Sequence, residues 1–97
     1  MMEARLYVVS YDISSPRRWK RVQGKIKGLC RRGQLSVFVC RATPARMARL
    51  ERELRGILHA RDDRLMILDL GSATIAARQV STMNSINDIA ELEAAIL

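Results

Sequence analysis

Twice in this chain a run of β-branched and aromatic residues ends at a hydroxyl side chain followed by proline. Ser15-Pro16 comes after the run Arg5 to Asp12, and Thr43-Pro44 comes after the run Gln34 to Arg41. A serine or threonine at such a junction accepts a bond from a first-turn amide, and the proline supplies a helical φ where no amide is needed. Each junction therefore dictates a strand followed by a helix. Trp19, Val22, Ile26, Leu29 and Cys30 recur at three- and four-residue spacing up to Gly33, which suits a C-terminal cap and predicts a first helix over residues 16 to 32. Met47, Leu50, Leu54, Ile57 and Leu58 form the apolar stripe of a second helix that ends near His59, before the turn Arg61 to Arg64.

Leu65 to Leu70 reads as a third strand closed by Gly71, Ala73 to Val80 as a weaker fourth, and Asn87 to Leu97 as a short capped helix. The expected order is strand, helix, strand, helix, strand, strand and a tail, with one domain over residues 1–80 and a helical tail over 81–97. With 97 residues there is room for one core. The compact solution is an α+β two-layer sandwich with the helices on one face of a sheet.

Both faces of the expected strands are apolar. Leu6 and Val8 lie opposite Tyr7, Val9 and Tyr11; Leu35, Val37 and Val39 opposite Phe38 and Cys40; Leu65 and Ile67 opposite Met66, Leu68 and Leu70. Two helices cover one face only, and a bare second face exceeds what a monomer normally exposes. A second copy across a twofold axis is the expected cover, with a fold-back of the C-terminal segment as the alternative.

Net charge is +7, and its placement is uneven. Residues 13 to 50 hold 11 Lys or Arg and no acid, whereas residues 51 to 97 hold five Arg and eight acids. Arg17, Arg18, Arg21, Arg31 and Arg32 lie in or just after the first helix, a field that attracts a polyanion such as nucleic acid. Asp12 stands alone at the head of that basic stretch. It can hold a divalent cation, for which Mg²⁺ characteristically takes one or two carboxylates, or it can cap Ser14 and Ser15 as an Asx turn. Two copies of Asp12 across a dimer axis make the better metal site.

Other candidates are weaker. Asp62 and Asp63, between Arg61 and Arg64, read as an exposed turn, and Asp69 as a buried partner of an arginine. His59 suits a helix C-terminus. Cys30 and Cys40 match neither a redox pair nor a zinc set and are expected to be buried free thiols. There is no Walker loop and no aromatic ribonucleoprotein motif on the strands. No leader pattern opens the chain and no apolar run approaches the length of about 18 that spans a bilayer, so a cytoplasmic location without membrane contact is expected.

Tyr7-Val-Val-Ser-Tyr-Asp12-Ile-Ser, followed after the basic helix by Arg32-Gly-Gln-Leu-Ser-Val-Phe38, resembles the CRISPR-associated Cas2 family over about residues 5 to 70. The resemblance implies a ferredoxin-like βαββαβ sandwich, a homodimer, and Mg²⁺-dependent cleavage of RNA or double-stranded DNA. It also implies a part in spacer acquisition, alongside a CRISPR integrase. Carried over, Asp12 is the metal-binding acid, Tyr11, Ser36 and Phe38 complete the catalytic neighbourhood with Arg32, and Arg18 and Arg21 are approximate matches on the helix. Many members have Glu after the Phe, where this chain has Val39, and Tyr where it has Leu35. The competing expectations are a non-catalytic DNA-binding scaffold bridging integrase subunits, and a toxin-type ribonuclease of the virulence-associated protein D family.

Overall fold

A computed structural model of the chain describes residues 3–34 and 37–80, with the backbone alone over 31–34. Its elements are β1 (Arg5–Asp12), α1 (Pro16–Ile26), β2 (Cys30–Gln34), β3 (Val37–Ala42), α2 (Pro44–Arg55), β4 (Arg64–Ser72) and the single turn α3 (Ala73–Ala76), followed by a 3₁₀ turn over Ala77–Gln79. The strands form one antiparallel sheet in the order β2-β3-β1-β4. This is the ferredoxin-like strand, helix, strand, strand, helix, strand path, not the order that local periodicity suggests.

Both hydroxyl-proline junctions start helices as expected. Ser15 Oγ accepts from the Arg18 amide at 3.3 Å and Thr43 Oγ1 from the Arg46 amide at 3.4 Å. The first helix ends early, however, and the segment that was to be its last turns is β2. Gly24 and Gly28 weaken helix in that region by about 1 kcal/mol each relative to Ala, while pairing with β3 satisfies the backbone from Cys30 onward. In that ladder Cys30 lies directly opposite Cys40, and the two form a disulfide. The expectation of free thiols fails because it placed Cys30 on a helix, where it could not face a strand residue.

Alternation along the strands sorts the core into two clusters, with the faces as expected. Toward the helices, Tyr7, Val9, Tyr11, Phe38 and Cys40 pack with Val22 and Ile26 of α1 and Met47, Leu50 and Leu54 of α2, and Leu65 and Ile67 of β4 border them. Ile26, Leu54 and Phe38 are fully buried, each stabilising the fold by about 1.5–3 kcal/mol. On the opposite face, Leu6 and Val39 are covered by Ala73 and Ala76 of α3. Among the described residues that cover continues only through Ala77 to Val80. Met66, Leu68 and Leu70, along β4 on that face, stay 51%, 45% and 38% exposed.

The expected fourth strand is α3 with its 3₁₀ extension. Gly71 turns the chain at φ +93, and the Ala73 amide then donates to the Ala4 carbonyl at 3.1 Å, laying small residues over Leu6. Asp69 is not buried. It accepts two bonds of 2.9 Å from Arg5 Nε and one of 2.9 Å from the Gly71 amide, at the place where the β1–β4 register shifts. The helix expected over residues 87 to 97 lies outside the described residues.

Because a side chain at Gly71 meets no neighbour but the φ is left-handed, Gly71→Ala is expected to lower unfolding free energy by about 1 kcal/mol. Urea unfolding followed by far-ultraviolet circular dichroism measures it.

Candidate active site and nucleic-acid interface

Asp12 is the last residue of β1 and is exposed. Its register partner is Arg64, and the preceding pairs are Tyr11 with Leu65, Ser10 with Met66 and Val8 with Leu68. Since cross-strand partners share a face, Asp12 belongs to the face of Ser10, Met66 and Leu68, not to the helix-covered one. A cleft of about 700 Å³ opens there, lined by Ser10, Tyr11, Asp12, Asp63, Arg64, Leu65 and Met66. The Ser14 amide that an Asx cap would use goes to Asp63 instead. Asp12 is thus left uncommitted among the described residues.

Tyr11 points the other way. It is buried and its ring stacks on Phe38 with centroids 5.9 Å apart, so the two aromatic residues named with Asp12 in the sequence form the floor behind the strand end. Ser36 lies outside the described residues, as does Leu35, and the side chains of Arg31 and Arg32 on β2 are not described. Val39 is buried under α3. An acid at that position would enter an apolar cluster.

Asp63 is the residue that sequence reasoning misjudged. Far from being an exposed turn, its side chain has no accessible surface. Oδ2 accepts from Arg18 Nε at 2.6 Å and from the His59 amide at 2.8 Å; Oδ1 accepts from the Ser14 amide and from Arg18 Nη2, each at 3.2 Å. The Arg18 guanidinium first, and then the two amides, hold its carboxyl well below the usual carboxylate range against the opposing effect of burial. The partners lie 45 and 49 residues away in sequence, which is why local pattern gave no sign of them. His59 also serves the turn, its Nδ1 accepting the Arg61 and Asp62 amides at 3.3 Å each. The same nitrogen lies 3.4 Å from Asp62, a contact that attracts only if Nδ1 is protonated and the amide bonds are given up.

Around this end the outer surface of α1 is cationic. Arg17, Lys20, Arg21 and Lys25 are exposed, and none forms an ion pair with a described residue. On α2, by contrast, Arg49 is 3.7 Å from Glu53 and Arg55 is 3.5 Å from Glu51. Between the helices, away from Asp12, a groove of about 300 Å³ is lined by Lys25, Arg46 and Arg49 over Leu29 and Leu50. Among the described residues no three His, Cys, Asp or Glu side chains gather as a metal site. Among the described residues that line the cleft, Asp12 is the carboxylate left open to a metal, because Asp63 is already saturated. A hydrated Mg²⁺ is held by one or two carboxylates and its own waters, so Asp12 fits as one donor and a second carboxylate would strengthen the site.

Comparison with known proteins adds ancestry to this geometry. The family model described as CRISPR associated protein Cas2 matches residues 5–78. The chain is 39% identical to the CRISPR-associated endoribonuclease Cas2 of Geobacter sulfurreducens, covering 86% of this chain and 87% of that one. It is 34% identical to the CRISPR-associated endoribonuclease Cas2 1 of Rhodospirillum rubrum, covering 94% and 89%. Among solved structures, Streptococcus pyogenes Cas2 at pH 6.5 superposes with a TM-score of 0.71 at 27% identity, covering 81% of this chain and 99% of that one.

The depressed Asp63 carboxyl has a sign that can be measured. Its stabilising contribution is present above the ordinary carboxylate value of 3.8 and is lost as pH falls through the lower folded value. Unfolding free energy of the wild type is expected to fall as pH drops below about 4. Asp63→Asn should be less stable at neutral pH and show a flatter acid limb, while Asp62→Asn keeps the wild-type slope.

Proposed function

Because the chain belongs to the CRISPR-associated Cas2 family, we propose that it works as a homodimeric, Mg²⁺-dependent endonuclease on RNA or double-stranded DNA, within the machinery that acquires new spacers. The observation that supports this reading is the position of Asp12: a carboxylate uncommitted among the described residues at a strand end, on the exposed apolar face, beside a helix whose Arg17, Lys20, Arg21 and Lys25 form no ion pair with a described residue. A second copy packed on Met66, Leu68 and Leu70 meets the face that carries Asp12, so two carboxylates converge where one chain supplies one.

In this reading Asp12 and its counterpart hold the cation. Bound Mg²⁺ supplies neutralisation of the phosphate charge and a more acidic water near neutral pH. Arg17 and Arg21, exposed on α1, hold the nucleic-acid backbone through its phosphates, with Arg31 and Arg32 on β2 extending the contact. The Tyr11–Phe38 stack fixes the strand from behind. Loss of Asp12 removes the cation without removing the phosphate contacts, so binding and cleavage separate.

A second reading is a non-catalytic scaffold that binds duplex DNA and bridges CRISPR integrase subunits. The observation favouring it is the donor count among the described residues of the cleft: Asp63 is saturated and Val39 is apolar, so neither supports Asp12 as an accessory acid. The third expectation, a ribonuclease of the virulence-associated protein D type, has no comparable support once family membership is known. In either of the first two cases the partner surface is nucleic acid, and among the described residues no helix is long and apolar enough to cross a membrane.

Cleavage of RNA and duplex DNA in Mg²⁺ or EDTA, by wild type and Asp12→Ala, decides between enzyme and scaffold. The nuclease reading expects Mg²⁺-dependent cleavage that falls about 100-fold or more in Asp12→Ala, a loss on the scale of one preorganised electrostatic group, with nucleic-acid affinity nearly unchanged. Cleavage that persists undiminished in the mutant contradicts it, and absence of cleavage by either protein favours the scaffold. In both readings Arg17→Gln with Arg21→Gln reduces the slope of log affinity against log salt by about two units.

A further inference from the structure

We infer that Arg18 and Asp63 form an internal latch that positions the Asp12 strand end, so that Arg18 is a positioning residue and not a phosphate contact. The inference deepens the proposed function and, for its catalytic consequence, rests on the reading of Asp12 given above.

The latch joins three separate pieces of chain: the β1–α1 loop at Ser14, the first turns of α1 at Arg18, and the α2–β4 loop at His59 and Asp63. Arg18 meets Asp63 side-on, Nε to Oδ2 at 2.6 Å and Nη2 to Oδ1 at 3.2 Å, the paired geometry that makes guanidinium-carboxylate contacts directional. Arg18 Nη2 also lies 3.3 Å from Ser14 Oγ, and Ser14 Oγ lies 3.5 Å from Asp63 Oδ1. Asp63 has no exposed side-chain surface and Arg18 retains 26%. Breaking such a pair leaves a charge enclosed without its partner, so the contact does not open readily to admit a phosphate.

Its place in the fold gives the latch a function. The β1–β4 ladder ends at the pair Asp12 and Arg64. Asp63 immediately precedes Arg64, and its carboxylate binds the amide of Ser14, two residues beyond Asp12. The side chain thus continues the ladder past its last backbone pair and clamps the chain just beyond Asp12. A carboxylate that must meet its counterpart across a dimer axis depends on such placement, since displacement of a reacting group by about 1 Å can cost 100-fold in rate. Asp63 lines the Asp12 cleft, yet both its oxygens are filled from within the protein. Proximity there marks support, not ligation.

Three variants of the full chain test this: Asp63→Asn, Arg18→Gln and the double mutant, with Arg17→Gln as the reference for a phosphate contact. Salt-dependent binding of a duplex DNA and amide hydrogen exchange at Ser14 and His59 need no cleavage activity. Arg18→Gln is expected to keep the wild-type salt slope while Arg17→Gln loses about one unit. Either latch variant should speed exchange at Ser14, and the double mutant should be no worse than the worse single one. For cleavage, kcat should drop between about 10- and 100-fold with KM nearly constant.

A salt slope reduced by Arg18→Gln as much as by Arg17→Gln overturns the inference, as does wild-type exchange at Ser14 in both latch variants. Full kcat in Asp63→Asn, with Asp12→Ala inactive, overturns the positioning role alone and leaves the Asp12 reading standing. An active Asp12→Ala ends the Asp12 reading, and exchange and salt slope still decide the latch. If Asp63→Asn does not fold, Arg18→Gln, which retains both amide bonds to Asp63, carries the same comparisons.

Discussion

Two helices lie on one face of a sheet whose strands are apolar on both. Everything else in the molecule follows from that mismatch. The helix-covered face closes around Phe38, Ile26 and Leu54, and the other receives, among the described residues, only α3 and the short segment to Val80 over Leu6 and Val39. Along β4 the remaining apolar side chains are left open, and the register of β1 against β4 places Asp12 on that same side. The exposed apolar surface and the open carboxylate are therefore parts of one face. In the proposed function, dimerisation and chemistry are consequences of the same shortage of cover.

Electrostatics divides two acids in one cleft between opposite duties. Asp63 gathers a guanidinium and two backbone amides and is held ionised far below the ordinary range. Asp12, next to the chain that Asp63 clamps, is exposed and receives none of those bonds. A saturated carboxylate stabilises structure but has nothing to offer a ligand, whereas an open one adds little stability and keeps its full capacity to bind a cation. The same division applies to the cations of α1: Arg18 is drawn inward by Asp63, and Arg17, Lys20, Arg21 and Lys25 stay exposed without an ion pair among the described residues.

Features written in local chemistry were legible. β1 runs over the residues that its β-branched content indicates, Ser15-Pro16 and Thr43-Pro44 begin helices, and the alternation of Leu6, Val9 and Tyr11 assigns both faces correctly. What local chemistry does not encode is which distant segment completes a backbone. Leu29 and Cys30 continue a helical spacing, but the ladder to β3 captures Cys30 and places it opposite Cys40. Ala73 to Ala76 lack the strand partner that would have made them a fourth strand and turn onto Leu6 instead. The Asp12 candidate was visible from its isolation among basic residues. Asp63 was not, since Arg61 and Arg64 flank the Asp62-Asp63 pair in sequence and the arginine that matters comes from α1.

The central claim is that the site needs an Asp12 from each of two chains. It is tested most directly by co-refolding wild-type and Asp12→Ala chains in varied proportion and measuring Mg²⁺-dependent cleavage at constant total protein. A shared site predicts activity that follows the square of the wild-type fraction, because only dimers with both carboxylates cut. Activity that falls in direct proportion to the wild-type fraction contradicts the account, since each chain would then carry a complete site of its own.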